Sequence, residues 1–453
     1  MTDMTHLLLR CVRRDYTSRM LLERFRTLVN SLNRIRIWGL ADYDLGTALT
    51  VPLKEALSQS AVSRTMIFKR LFAAIFIERH YYETYTQPEA KILFFYSHSY
   101  VAGGPHHKKL FHKVTSLVGQ KDMLVACQQR GECCFGGVAL LAYLPIWFVQ
   151  MRKVELDWKC KFFLLTYLLE VKKWIQSSEK QFCPAKYKLL VTFCDAHVTD
   201  NIMTQYFKNA GIATATLQHG WYRETKQGAD SFSDIELGFE GLVSDKFLAW
   251  GEYIETSAIR SGVGRHKIVC LGSPHFIDYE CTEASGVSNY FGLVLGRSEG
   301  HCKQENRDLI QFANKISQDL GFTYIIKYHP SDSNAEIERY TPLIDQSYLY
   351  KSCDKDAPLD KLLDLDFSIL GSSSVYPELL YRGKVVFRYT PINDDYEEIN
   401  WGKFTNEAEL LNLLAEYRVN ANGFHQTADE IGKYLCGQGN IAENYKRFLF
   451  AYM

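Results

Sequence analysis

At 453 residues the chain is too long for one ordinary core and fits two domains with an extension. Its 52 Lys and Arg balance 52 Asp and Glu, which excludes the broad basic field of sequence-independent nucleic-acid binding but leaves room for a local basic pocket for phosphate. Apolar residues at 47% and charged residues at 23% are ordinary globular usage, and aromatics at 14% suit large cores and sugar- or base-stacking surfaces alike.

Residues 1–85 read as a helical N-terminal extension. Leu21, Leu22, Phe25, Leu28, Val29 and Leu32 recur at helical spacing, and a second helical stretch covers about Val62 to Tyr82 before Gln87-Pro88 breaks it. Met1 to Arg14 carries charges throughout and lacks the apolar core of a signal peptide. The 12 cysteines are scattered with no C-x-x-C spacing, so no zinc or redox motif is expected and a reducing cytoplasm fits.

Residues 86–285 read as a first Rossmann-like domain. Lys91 to Tyr96 is a short apolar strand, followed by a Gly103-Gly104-Pro105 loop and a helix opened by His106 and His107. Strand, glycine loop and helix open a parallel α/β unit. Met123 to Ala126 is a further strand. Cys133 to Val149 is uncharged and mostly apolar, but it contains Gly136, Gly137 and Pro145 and only just reaches the roughly 17–25 residues of a membrane span. It reads as a buried or interface segment. With the Lys- and aromatic-rich Trp158 to Lys173, it suggests peripheral membrane contact.

The pattern then repeats. Lys188 to Phe193 is a strand ending at Asp195, Val198 to Asn209 a helix capped by Gly211, and Ile212 to Leu217 a strand ending at His219-Gly220. Lys246 to Trp250 ends at Gly251, and Lys267 to Leu271 ends at Gly272-Ser273-Pro274. Thr282 to Ser288 reads as a linker. Residues 286–453 form a second Rossmann-like series. Phe291 to Leu295 ends at Gly296-Arg297, Gln304 to Leu320 is a helix, and Phe322 to Tyr328 ends at His329-Pro330. Asp366 to Leu370 ends at Gly371-Ser-Ser-Ser374, with a helix from about Tyr376 to Tyr381 and a strand from Val385 to Tyr389.

Open parallel sheets bind ligands beyond the carboxyl ends of their strands. The residues predicted there are Asp195, His219-Gly220, Gly251, Gly272, Arg297, His329-Pro330 and Ser372 to Ser374, a set rich in glycine, histidine and hydroxyls. Hydroxyls and backbone amides at Ser372, Ser373 and Ser374 suit an anion, or equally a simple helix cap. Glu378, one turn on, can reach a ribose hydroxyl or merely favour the helix start. Pro330 fixes the backbone beside His329, whose ring can donate to phosphate. Gly220, Gly251 and Gly272 would permit close ligand approach in the cleft. Asp195 can orient His219 or act as a base itself. No G-x-x-x-x-G-K-[ST] loop, G-x-S-x-G elbow or D-x-D at a strand end is present, so no metal or other cofactor is expected.

Leu217-Gln-His-Gly220, Ala249-Trp-Gly251, Leu271-Gly-Ser-Pro274, Lys327-Tyr-His-Pro-Ser331 and Gly371-Ser-Ser-Ser374 with Glu378 together resemble the GT-B glycosyltransferases of bacterial surface polysaccharide synthesis. The resemblance covers about residues 185–400 and lies near the CDP-glycerol glycerophosphotransferases of teichoic-acid synthesis, capsule-export-linked sugar transferases and bacterial sialyl- and polysialyltransferases. It implies two Rossmann-like domains around a cleft and a nucleotide-sugar donor. The acceptor would be a growing glycan or lipid-linked glycan, at the inner face of the plasma membrane. It further implies His219-Gly220 in the catalytic region, and His329-Pro330 and Ser372 to Ser374 at donor phosphate. Trp221-Tyr222-Arg223 follows His219-Gly220 where the glycerophosphotransferases usually carry proline and lysine, and the acidic-acidic-glycine motif of the sialyltransferases is not evident. The donor therefore stays open, as do three alternatives: polyol-phosphate transfer, nucleotide-sugar 2-epimerisation and non-catalytic glycan assembly.

Overall fold

The computed structural model describes residues 22–35, 40–57, 63–76, 80–85, 90–97, 105–130, 142, 144–220, 239–279, 289–298, 302–330, 332–353, 362, 365–371, 373, 375–391 and 399–453. The expected linker at 282–288, most of 133–143, and Ser372 and Ser374 lie outside the described residues.

Helices α1 (residues 22–33), α2 (Leu45–Ala48), α3 (Thr50–Leu57) and α4 (Arg64–Phe76) form the extension. The first sheet follows: β1 (His80–Tyr85), β2 (Ile92–Tyr96), α5 (Pro105–Thr115), β3 (Met123–Arg130), α6 (Leu144–Met151), α7 (Trp158–Gln181), β4 (Leu189–Thr192), α8 (Val198–Asn209), β5 (Ala213–Leu217), β6 (Lys246–Ala249), α9 (Glu252–Arg260) and β7 (Ile268–Cys270). The sequence reading carried a helix to Tyr82. Instead α4 ends at Phe76, and His80-Tyr-Tyr-Glu-Thr-Tyr85 pairs antiparallel with β3, His80 opposite Arg130. Aromatic and β-branched residues favour such a pleated edge.

The strands lie in the order β1-β3-β2-β4-β5-β6-β7, and all pairs after the first are parallel. Every residue of β2 and of β4 is buried. Continuous apolar runs of this kind are what a sheet covered on both faces requires. Asp157 caps the 24-residue α7 by accepting from the Cys160 amide at 2.8 Å. Around α7, Phe25, Leu28 and Leu32 of the extension join Trp147, Phe163 and Leu168 in one apolar core.

The second sheet comprises β8 (Tyr290–Val294), α10 (Cys302–Leu320), β9 (Thr323–Lys327), α11 (Asn334–Glu338), β10 (Leu349–Cys353), β11 (Phe367–Leu370), α12 (Val375–Tyr381), β12 (Val385–Tyr389) and β13 (Lys403–Phe404). Its order is β10-β9-β8-β11-β12-β13, all parallel. In order of appearance this is 3-2-1-4-5-6, the doubly wound arrangement, with a switch point between β8 and β11. The first sheet has its own switch point between β2 and β4.

Helices α13 (Glu407–Val419) and α14 (Ala421–Cys436) cover the second sheet, and α15 (Ile441–Phe450) then returns to the first. Ser273 N donates to Cys436 O at 2.7 Å, and the Tyr445 hydroxyl to Gly272 O at 3.2 Å. Lys91 and Lys188 reach Met453 O at 2.8 and 3.1 Å. One apolar core therefore runs from Phe94 and Trp250 through Leu379 to Leu435 and Tyr445. Among the described residues no helix is long and apolar enough to cross a membrane.

Candidate functional site

The switch point of the second sheet gathers three of the predicted positions. Arg297 leaves β8, His329-Pro330 leaves the adjacent β9, and Gly371 to Ser373 leaves β11 on the other side of β8. A buried polar network fixes the first two loops. Asn306 of α10 accepts from Gly296 N and donates to Gly296 O, both at 2.9 Å, and reaches the Tyr340 hydroxyl at 3.1 Å. That hydroxyl donates to Ser298 Oγ, and Asp332 accepts from Ser298 N at 3.0 Å and Ser298 Oγ at 2.7 Å. Asp332 N in turn donates to His329 O at 3.0 Å. Satisfied buried networks of this kind hold one geometry. Above it Arg297 is exposed and His329 partly so.

At β11, a Cβ on Gly371 would stand 2.9 Å from the buried Glu305 carboxylate, so a larger residue there would displace that carboxylate. Ser373 caps α12, accepting from Val375 N at 3.3 Å.

The first sheet presents Asp195 beyond β4 and His219-Gly220 beyond β5. Gln218 clamps that turn: it accepts from Trp250 N at 2.7 Å, donates to Gly220 O at 2.9 Å, and its carbonyl accepts from the Trp250 indole at 2.9 Å. His219 is partly exposed, and no atom of the described residues lies within 4 Å of where a Cβ on Gly220 would stand.

Asp195 is buried and accepts from the amides of Val243 and Ser244 at 3.1 and 2.8 Å, pinning that segment beneath the site. Burial pushes its carboxyl up to about 6 against the opposing pull of those hydrogen bonds. Asp200, one helical turn into α8, is pushed by burial up to about 7, with Ser97 beyond β2 hydrogen-bonded to it. His197 keeps part of its surface open, yet the protein packed around it lowers its pKa to about 4, so it is neutral at physiological pH. Its ring centroid lies 6.4 Å from that of His219.

The two edges meet through His275, just past β7. Its ring stands edge-on to Trp250 at 5.6 Å, and its Nε2 lies 4.0 Å from Glu378 Oε1 on α12. A continuous path thus runs from the His219 turn through Gln218, Trp250 and His275 to Glu378. Two of the glycines read as cleft positions lie away from open space. A Cβ on Gly251 would stand 2.5 Å from Tyr434 O, and one on Gly272 would stand 2.5 Å from the Ile441 side chain. Both glycines receive this chain's own C-terminal segment.

Sequence reasoning missed His275, His197 and Asp200. His275 directly follows the Gly272-Ser273-Pro274 strand end. His197 immediately precedes α8 and Asp200 lies in its first turn, two and five residues after Asp195.

Two doubly wound sheets, parallel but for the β1 edge of the first, whose carboxyl edges meet define a two-domain Rossmann-like fold of the GT-B type. No protein-family model matches the sequence, and no curated protein matches it. Among solved structures the chain is similar to S. aureus MnaA in a co-structure with UDP, at 12% identity and a TM-score of 0.51, over 80% of this chain and 98% of that one. It is similar to a UDP-N-acetylglucosamine 2-epimerase at 11% identity and a TM-score of 0.50, over 81% and 97% of the two chains. The apo form of the lipopolysaccharide outer core galactosyltransferase WaaB matches at 12% identity and a TM-score of 0.46, over 80% and 100%. What MnaA and the epimerase share with this chain is the fold.

Proposed function

We propose that the protein transfers a sugar from a nucleotide-activated donor to a growing bacterial surface glycan or lipid-linked glycan at the inner face of the plasma membrane. The observation that carries the reading is the second switch point, where a buried network presents exposed Arg297 and partly exposed His329 at strand ends flanked by Gly371 at the end of β11. UDP is held by S. aureus MnaA, which shares the fold. Here Arg297, His329 and the hydroxyls of Ser372 to Ser374 bind the donor diphosphate, Pro330 fixes the His329 backbone, and Glu378 takes the ribose.

In the reaction the acceptor hydroxyl oxygen bonds to the anomeric carbon as the bond from that carbon to phosphate breaks. The nucleoside diphosphate departs with the electron pair, its charge stabilised by Arg297 and the hydrogen-bond donors around it. His219 takes the acceptor's proton, and holding the two reactants together supplies much of the rate. Asp195 supports the site from below, since its carboxylate already holds the Val243 and Ser244 amides.

The test is incubation with a panel of nucleotide sugars, with and without glycan acceptors, reading released nucleotide and sugar configuration. Nucleotide released only when acceptor is present is the expected result. A 2-epimer formed without acceptor makes the protein an epimerase, and donor binding without turnover makes it an assembly protein.

A further inference from the structure

The helical layer around α7 carries an apolar surface that the site does not use. On α4, Phe68 is 70% exposed and Phe72, one turn later, 47%. On α6, Val149 is 59% exposed with Ile146 beside it on the outer face, and Trp158 at the start of α7 is 47% exposed. These five are most of the large apolar side chains that stand in solvent among the described residues.

Their orientation is fixed by what lies beneath them. Ala74 and Ile75 of α4, and Trp147 and Met151 of α6, point into the apolar core around α7. The Arg70 guanidinium lies over the Tyr167 ring of α7 at 3.8 Å, locking that side of α4 inward. Helices α4 and α6 thus each bury one apolar face and show another to solvent, an arrangement that a water-facing helix avoids.

The exposed charge on these helices is mostly basic: Glu170 is paired with Arg70 at 3.5 Å, and exposed Glu55, which accepts from the Tyr167 hydroxyl at 3.1 Å, lies on α3 beside them. α4 contains no acidic residue, and Arg64 and Lys69 are exposed along it. Arg152, Lys153 and Lys159, between α6 and the first turn of α7, are also exposed, with only Glu155 and Asp157 against them. Asp157 is occupied as the helix cap. Phe68, Phe72, Val149 and Trp158, with Arg64, Lys69, Arg152, Lys153 and Lys159 exposed on or next to the same helices, have the chemistry of an interfacial anchor, in which aromatic rings enter the headgroup boundary and Lys and Arg meet anionic phosphates. Placement agrees. β1 begins opposite Arg130, at the carboxyl end of β3, and α4 ends four residues earlier, a reach of at most about 14 Å. The end of α4 therefore lies within about 14 Å of the carboxyl edge of the first sheet, the edge that carries the His219 turn.

We infer that the outer faces of α4 and α6, with Trp158, dock on an anionic lipid bilayer. This deepens the membrane-side acceptor reading and rests on it for its purpose. Vesicle binding is measured without a transfer assay, so the two fail separately.

The experiment is co-sedimentation of the full chain with large vesicles, either pure phosphatidylcholine or an equimolar mixture with phosphatidylglycerol. Binding to the mixed vesicles should exceed binding to the neutral ones and fall as salt rises. Phe68→Ser with Phe72→Ser should lower the partition constant about tenfold or more. Lys153→Ala with Lys159→Ala should lower it about 30-fold. Phe68→Leu with Phe72→Leu, which keeps an apolar surface, should retain binding, and the unfolding midpoint should be unchanged in all three variants. Equal sedimentation with both vesicle types, or undiminished binding by the folded double serine variant, overturns the inference. So does a dimer in size-exclusion chromatography that the serine variant dissociates, without vesicle binding.

Discussion

Replacing Gly251 by alanine tests whether the contact between the two halves is as tight as the geometry states. Gly251 has φ −149° and ψ 178°, extended backbone that any residue adopts, so the substitution adds no torsional strain. What it adds is one methyl, 2.5 Å from Tyr434 O, 2.6 Å from Leu435 O and 2.7 Å from Leu435 C. These are backbone atoms of the last turn of α14 and cannot rotate aside. Restoring ordinary contact near 3.4 Å requires the turn to retreat by about 0.9 Å. Overpacking of this kind costs about 1–3 kcal/mol. The retreat also stretches the 2.7 Å bond from Ser273 N to Cys436 O, worth about 1 kcal/mol more. The sum is about 2–4 kcal/mol, read as a lower urea midpoint by the fluorescence of the tryptophans, Trp250 among them buried beside the contact. Gly220→Ala is the control, because no atom of the described residues lies within 4 Å of its added methyl and its effect should stay within about 0.5 kcal/mol. If Gly251→Ala unfolds at the same urea concentration as Gly220→Ala, the packing described between α14 and the first sheet is wrong.

Asp200 should give the protein a pH signature. Its carboxyl is raised by burial from 3.8 to about 7, so the native state keeps a proton that the unfolded chain loses between these values, and stability falls as pH rises through that window. At about 1.4 kcal/mol per unit the term is on the order of 4 kcal/mol at most. His197 opposes it between about 4 and 6.5, where stability rises with pH. Asp200→Asn removes only the first term, so wild type should lose stability relative to the variant between pH 5 and 8, and a difference that is flat or grows with pH would contradict the assignment. At the site, His219→Ala should lower turnover by about 10²–10⁴-fold with donor affinity nearly unchanged. His329→Ala should weaken donor binding about tenfold or more, as loss of a charge-assisted bond does. Calorimetry beside rate measurements separates the two, and near-normal turnover in folded His219→Ala would move the base role elsewhere. Because no D-x-D stands at a strand end, turnover should survive EDTA, and complete loss restored by Mg²⁺ or Mn²⁺ would refute this.

The parallel strands were legible because burial on both faces removes ambiguity. Every residue of Ile92 to Tyr96 and of Val385 to Tyr389 is buried, and Arg388 is the one charged side chain among them. Helix α8 could be read to its ends, from Val198 to the left-handed Gly211 at φ 77°. The edges were harder. β1, β10 and β13 take part of their identity from the neighbour they pair with, and periodicity does not carry that. The same limit applies to the site. A glycine at a strand end shows that something approaches closely, but whether it is a ligand or residue 441 of the same chain is decided by tertiary packing. His275 was hidden for a related reason, since it acquires meaning only when Glu378 comes within 4.0 Å.

The return of α15 has a consequence for synthesis. The hydroxyl that closes on Gly272 belongs to a residue 173 positions further along. At about 5–20 residues per second a ribosome needs roughly 9–35 s to supply it. During that interval the β7 edge of the first sheet lacks the C-terminal segment that covers Trp250 and Gly272. The nascent chain therefore carries an open apolar face while the whole second sheet is being made, the state in which a holdase chaperone would bind it and in which crowded polysomes would make it aggregate.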